Sequence, residues 1–130
     1  MRLEKQVLIN YRIERCNETI AEAKDAIKDN HPFNAENRIY YAMFYIVSAL
    51  ALKYNFSSGK HYQLLGWFNK NFIKTERIPK ELGGIYANAF EKRQKGDYDD
   101  LKTFTMAEVN DDFKDMIFFV EKLKKFINKD

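Results

Sequence analysis

The sequence predicts an all-α domain, an up-and-down four-helix bundle with a short additional helix in the connection between the second and fourth helices. Three observations carry that expectation. Apolar residues recur at steps of 4, 3, 4, 3, 4 near both ends of the chain, as Ile9, Ile13, Cys16, Ile20, Ala23, Ile27 and as Val109, Phe113, Met116, Val120, Leu123, Ile127, which is the period of one helical face. No segment alternates polar and apolar residues with period two, so no strand is expected. The periodic runs are separated by short clusters rich in Asn, Asp, Pro and Gly that end one helix and start the next.

The elements follow in order. Residues 3 to 28 form a long amphipathic helix with Glu14, Glu18, Glu22, Lys24 and Lys28 on its outer side. Asp29-Asn30-His31-Pro32 is expected to stop it, because proline lacks an amide hydrogen and biases the preceding residue away from helix. Asn34 is the expected N-cap of a second helix over Ala35 to Tyr54. That helix carries two stripes, Tyr40, Phe44, Val47, Ala51, Tyr54 and Arg38, Tyr41, Tyr45, Ser48, Leu52, so it should sit centrally with neighbours on more than one side. Ser58 is the expected cap of a short third helix presenting His61, Leu65, Phe68 and Phe72. The fourth, Lys80 to Lys95, aligns Leu82, Ile85, Tyr86, Ala89, Phe90 and Arg93, with Gly83-Gly84 permitting close approach and Gly96 as the residue that ends it. Thr105 and Glu108 form a capping box at the start of the last helix.

At 130 residues the chain is one domain, residues 1–130, large enough for a core without staples. The single cysteine, Cys16, reads as a small apolar helix residue in a reducing, cytoplasmic setting. The N-terminal MRLEKQ has no apolar core, so no secretory leader is expected. The apolar run from Ile39 to Leu52, interrupted only by Ser48, is shorter than the ~20 residues a membrane span needs. A net charge of +3 from 22 basic and 19 acidic residues describes a mixed surface and does not by itself argue for nucleic acid. Eight tyrosines, eleven phenylalanines and one tryptophan are more ring area than a bundle of this size needs, and Phe118, Phe119 and Phe126, beside the main stripe of the last helix, are expected to face a partner chain.

Metal ligation needs convergent His, Cys, Asp or Glu. His31 and His61 lie in different turns, no HxxxH or CxxC occurs and the carboxylates are scattered in sequence, so neither metal nor cofactor is expected. SSGK lacks the full phosphate loop of a nucleotide-binding strand–loop–helix unit. Arg93 stands apart. It starts from the apolar face just where the fourth helix ends, so its guanidinium needs anionic or carbonyl partners. An internal bridge to Asp97, Asp99 or Asp100 is one reading; a phosphate site served by a planar donor fork is the other. His61 reads either as a helix-terminal hydrogen-bonding residue or as a base returning to that site, and Arg38 either converges on the same cleft or pairs with Glu36 or a nearby aspartate. Lys60, Lys70, Lys74, Arg77 and Lys80 surround the third helix as a solvated face on which a phosphate backbone could also be held.

The segments NRIYYAMFYIVSALALKYNF, SSGKHYQLLGWFNKNFIKTERIPKELG and FEKRQKGDYDD, in that order, resemble the HEPN domain in its small single-domain prokaryotic form. The likeness spans about residues 5 to 127 and rests on Arg38-x-x-Tyr41-Ala-x-Phe44, Ser58-x-x-His61, Phe68-Asn69-Lys70-x-Phe72, Ile78-Pro79-Lys80 and Arg93 to Tyr98. It implies a homodimeric helical bundle, often encoded beside a minimal nucleotidyltransferase in a toxin–antitoxin pair. Many members are metal-independent ribonucleases with an Arg-x(4–6)-His motif, the histidine taking the ribose 2′-hydroxyl proton and the arginine steadying the phosphorane. Arg93 matches the arginine, but five residues on stands Tyr98, preceded by Asp97, and no histidine follows His61. A tyrosine of ordinary pKa is only about 0.1% ionised at neutral pH, a poor general base. An Arg-x(3)-Asp-Tyr pattern is common in this branch. The resemblance therefore implies a binding module for RNA, a nucleotide or a protein partner, centred on Arg93 with Asp97, Tyr98, Arg38 and His61. The alternatives are a ribonuclease with a divergent Arg-x(4)-Tyr motif in which Arg93 and Tyr98, or His61, act, and a purely structural Arg93 in an interaction protein.

Overall fold

The computed structural model describes residues 2–99 and 101–129 and is all-helical among them. Helices α1 (Arg2–Lys28), α2 (Pro32–Lys53), α4 (Lys80–Tyr98) and α5 (Met106–Asn128) form the bundle, and the shorter α3 (His61–Phe68) lies in the connection from α2 to α4. α2 packs against all the others, as its two stripes foretell, and α1 also touches α5. Tyr40, Val47 and Ala51 of its first stripe are fully buried, with Ile39, Met43, Ile46 and Leu50 filling the remaining inner surface. The α1 stripe buries Ile9, Cys16 and Ala23, and the α5 stripe buries Val109, Met116, Val120, Leu123 and Ile127. Apolar burial pushes the Cys16 thiol up to about 12.

Several boundaries differ from those the sequence suggests. Pro32 opens α2 instead of merely closing α1, since the first helical position has no use for an amide hydrogen. The reversal is made by Asn30 at φ 57°, a left-handed conformation that asparagine tolerates. Asn34 is therefore inside the helix. Ser58 does not cap α3 directly: Lys60 is the N-cap, its amide donates to Ser58 Oγ at 3.1 Å, and Ser58 Oγ donates to Gln63 Oε1 at 2.8 Å. α3 then continues as a π-helical turn, Asn69–Ile73, with the Lys74 amide bonded to the Asn69 carbonyl and Asn71 Nδ2 donating to the Trp67 carbonyl. Phe68 and Phe72, one on either side of its start, are both buried in the core.

Gly96 does not end α4, which runs on to Tyr98. A Cβ there would lie 3.3 Å from Phe33 and 3.4 Å from Phe104, so this glycine admits two rings against the helix rather than reversing the chain. Gly83 works the same way against Ile73, at 3.0 Å, whereas Gly84 faces open space. The Thr105 cap holds, with the Glu108 amide donating to Thr105 Oγ1 at 3.1 Å. The rings of α5 are corrected too. Phe119 is fully buried between Phe68 and Tyr86, and Phe126 meets Phe72 edge-on. Only Phe118 of the three is largely exposed.

Candidate functional site

The site grows from the end of α4. Ala89 and Tyr86 anchor one face of that helix in the core, and one turn later the same face carries Arg93 to the bundle's edge with its side chain 17% exposed. Its guanidinium carbon lies 5.6 Å from the Tyr40 ring centre and 5.9 Å from that of Tyr41, within cation–π range. Arg93 Nε is 3.2 Å from Asp97 Oδ2. The contact is an ion pair that falls outside hydrogen-bond geometry, so the buried Nε keeps no hydrogen-bond partner among the described residues. Of the three aspartates open as partners in the sequence, Asp97 takes the role. Asp99 instead accepts from the Leu101 amide at 3.0 Å, and Asp100 lies outside the described residues.

His61, at the first position of α3, returns to this cluster. Its Nδ1 is 2.7 Å from the Tyr40 hydroxyl, and its ring stacks on Phe44 at 4.3 Å. Burial, and after it the Arg93 cation, lower its pKa, while Asp97 opposes them. The imidazole is thus held neutral at neutral pH beside a fixed positive charge. Tyr40 is fully buried, and desolvation drives its hydroxyl well above the ordinary phenol range despite Arg93, so it serves as a neutral hydrogen-bonding group. Tyr86 stacks behind Tyr40 at 6.4 Å, its fully buried hydroxyl without a partner among the described residues.

Arg38 comes part of the way. It does not pair with Glu36; it bonds Glu22 Oε1 at 3.0 Å and Asn37 Oδ1 at 2.7 Å, while its guanidinium lies 5.1 Å from the Tyr41 ring that Arg93 also approaches. Tyr98 is 78% exposed and makes no hydrogen bond among the described residues. Arg93, Asp97, His61 and, through Tyr41, Arg38 therefore share one edge of the bundle, and Tyr98 projects from its rim. Tyr40 and Tyr41, counted as core in the sequence, are the floor that organises it. Their signal was the double stripe of α2, too polar on one side to be simple packing.

Arg77, part of the basic group around α3, is engaged elsewhere, lying between the rings of Tyr54, Phe72 and Phe126. A second charged cluster was not anticipated. Glu36, Glu108 and Asp112 converge despite their distance in sequence, with Lys92 Nζ 3.8, 2.8 and 2.5 Å from them respectively. The ammonium occupies the position a cation would take. Glu36 is 5% exposed, and desolvation, reinforced by Asp112, pushes its carboxyl well above the ordinary range.

Comparison with known proteins adds to this geometry. A family model described as "HEPN domain" matches residues 9–130. A Thermotoga maritima protein named "UPF0332 protein" is 40% identical over 124 residues, covering 95% of this chain and 94% of the relative. Two Methanocaldococcus jannaschii proteins also match. "Putative toxin MJ0142" is 31% identical over 115 residues, 88% of this chain and 78% of its own length. "Putative toxin MJ0605" is 28% identical over 117 residues, 90% and 87%.

Proposed function

The chain belongs to the HEPN domain family, and from that premise we propose that it is a dimeric binding module of a toxin–antitoxin type system, with RNA or a nucleotide as the ligand of the Arg93 cleft. The observation that carries this reading is the state of Arg93. It is shielded on two tyrosine rings, tethered by a single carboxylate through Nε, and its two terminal nitrogens make no hydrogen bond among the described residues. A guanidinium so placed is pre-positioned for a phosphate oxygen, and the neighbouring neutral imidazole adds no competing charge. Two relatives carry names that call them toxins, which supports the toxin–antitoxin part of this reading. A minimal nucleotidyltransferase is the expected protein partner.

The test is binding of a fluorescent single-stranded RNA with and without Arg93→Ala. Loss of about tenfold or more in affinity, with the fold intact by circular dichroism, is expected. Unchanged affinity sinks the reading in favour of a purely structural arginine. Dimerisation does not rest on Phe119 or Phe126, which pack within the bundle. It is supported instead by Leu3, Val7 and Tyr11, exposed at i, i+4, i+8 on α1 with Leu8 beside them. A monomer by light scattering at tens of micromolar would count against it.

His61 favours a second reading, ribonuclease activity, over the use of Tyr98 as base. A neutral imidazole near Arg93 is able to accept a 2′-hydroxyl proton at Nε2, provided Nδ1 carries its own proton and donates it to Tyr40. The opposite tautomer, with Tyr40 donating, makes Nε2 a donor and removes the base. RNA cleavage in EDTA that is lost in both Arg93→Ala and His61→Gln would establish this second reading; cleavage lost in Tyr98→Phe alone would restore the divergent motif.

A further inference from the structure

The half-buried stripe of α2, Tyr41, Tyr45, Ser48 and Leu52, is only partly accounted for by the Arg93 site. Beyond Tyr41 it becomes the floor of an open groove of about 570 Å³, walled by Arg12 of α1 and by Ser57, Ser58, Gly59 and His61 of the turn into α3. Arginines follow the stripe along its length. Arg38 and Arg93 lie against Tyr41, Arg15 lies 5.1 Å from the Tyr45 ring centre, and Arg12 lines the groove beside Ser48. Arg38 and Arg15 are each tied to a glutamate, Glu22 and Glu18. Arg12 makes no ion pair among the described residues, and its Nε is buried without a hydrogen-bond partner.

The geometry points to a second phosphoryl-binding site in the groove between Arg12 and the Ser57–Gly59 turn, lying on one continuous face with the Arg93 cleft. Arg12 offers a donor fork with no internal anion, and Ser57 offers a hydroxyl that makes no hydrogen bond among the described residues, whereas Ser58 is spent on Lys60 and Gln63. The first turn of α3 has no side-chain cap, so its leading amides add donors with the favourable end of the helix dipole. His61 lines this groove while bonding Tyr40 beneath Arg93, which joins the two sites physically. Arg38 to Ser48 is ten residues of helix, about 15 Å, so a ligand reaching both sites must be an oligonucleotide rather than a mononucleotide. Alternating arginines and tyrosines are the surface that follows a single strand, the cations tracking phosphates and the rings stacking bases.

This inference rests on the nucleic-acid reading of the Arg93 cleft, and the experiment separates the two. Affinities of a fluorescein-labelled ten-nucleotide oligouridylate and of a dinucleotide are measured across a salt series for the intact protein, Arg12→Gln, Ser57→Ala and Arg93→Ala, with inorganic phosphate and AMP as competitors. Arg12→Gln is expected to weaken the ten-mer about tenfold, lower its log–log salt slope by about 0.7 and leave the dinucleotide unaffected. Competition by phosphate or AMP that disappears in Arg12→Gln assigns the groove to a free phosphate; its absence assigns the groove to the polymer backbone. If Arg12→Gln and Ser57→Ala both bind every probe as the unaltered protein does, the second site is wrong. Should Arg93→Ala still weaken the ten-mer in that case, the cleft reading survives alone; should it too have no effect, both fall.

Discussion

Lys92 and Arg93 are adjacent in sequence and lead opposite lives. Lys92 turns inward among Glu36, Glu108 and Asp112, and every direction its ammonium faces is answered. Burial alone would lower its pKa, but the hydrogen bonds it donates to Asp112 and Glu108 outweigh that and raise it. Arg93 turns to the α2 edge, meets one carboxylate and two rings, and keeps a buried donor idle. A saturated cation clamps α2, α4 and α5 together, whereas an unsaturated one is held ready for something outside the fold. Removing each should therefore damage a different property.

The largest effect is expected from Lys92→Met, which leaves the Glu108 and Asp112 carboxylates crowded with Glu36 around a vacated centre and should cost about 3 kcal/mol in urea unfolding at pH 7. A loss under about 1 kcal/mol would mean the cluster is wetter than its burial implies. Glu36 sharpens the same point through pH. Its folded-state pKa is raised to about 9, so its contribution is greatest below the ordinary carboxylate value of 4.5 and is lost between there and about 9, as the unfolded chain ionises while the folded carboxyl keeps its proton. Glu36→Gln should flatten that decline in a series of unfolding curves; an unchanged slope would locate the strain elsewhere.

Arg93→Ala comes next and should cost no more than about 1 kcal/mol, since its one ion pair is partly exposed, while RNA affinity collapses. If instead it destabilises as much as Lys92→Met and spares binding, the contrast between the two cations disappears. The smallest effect belongs to His61. Its folded-state pKa is lowered, so the unfolded chain takes up protons first as pH falls through about 6.5, and stability should decline below that value. His61→Gln should remove this shallow component while leaving the Glu36 slope intact, as chemical denaturation at pH 5 and 7 will show.

Most of the architecture was readable because helix periodicity and the Thr105 cap are local signals, and the 4, 3, 4 rhythms of α1 and α5 became buried stripes. Gly96 was misread because a glycine near a helix end looks the same whether it reverses the chain or makes room for neighbours, and only the positions of Phe33 and Phe104 decide. His61 was suspected but its partner Tyr40, 21 residues away, was hidden inside an apolar run. The Lys92 cluster escaped because its members come from three helices. Its trace is a charged residue at an apolar register in each, three residues after Ala89 and after Val109, and next to Ala35, the first basic and the other two acidic.

Cys16 has a practical corollary. As the chain's single sulfhydryl, wholly enclosed where α1 meets the bundle and far less acidic than a free thiol, it should ignore alkylating reagents until α1 lifts away. The rate at which a maleimide or disulfide reagent modifies it is thus a built-in clock for separation of the first helix, readable without any introduced label and comparable between bare protein and protein saturated with a ligand.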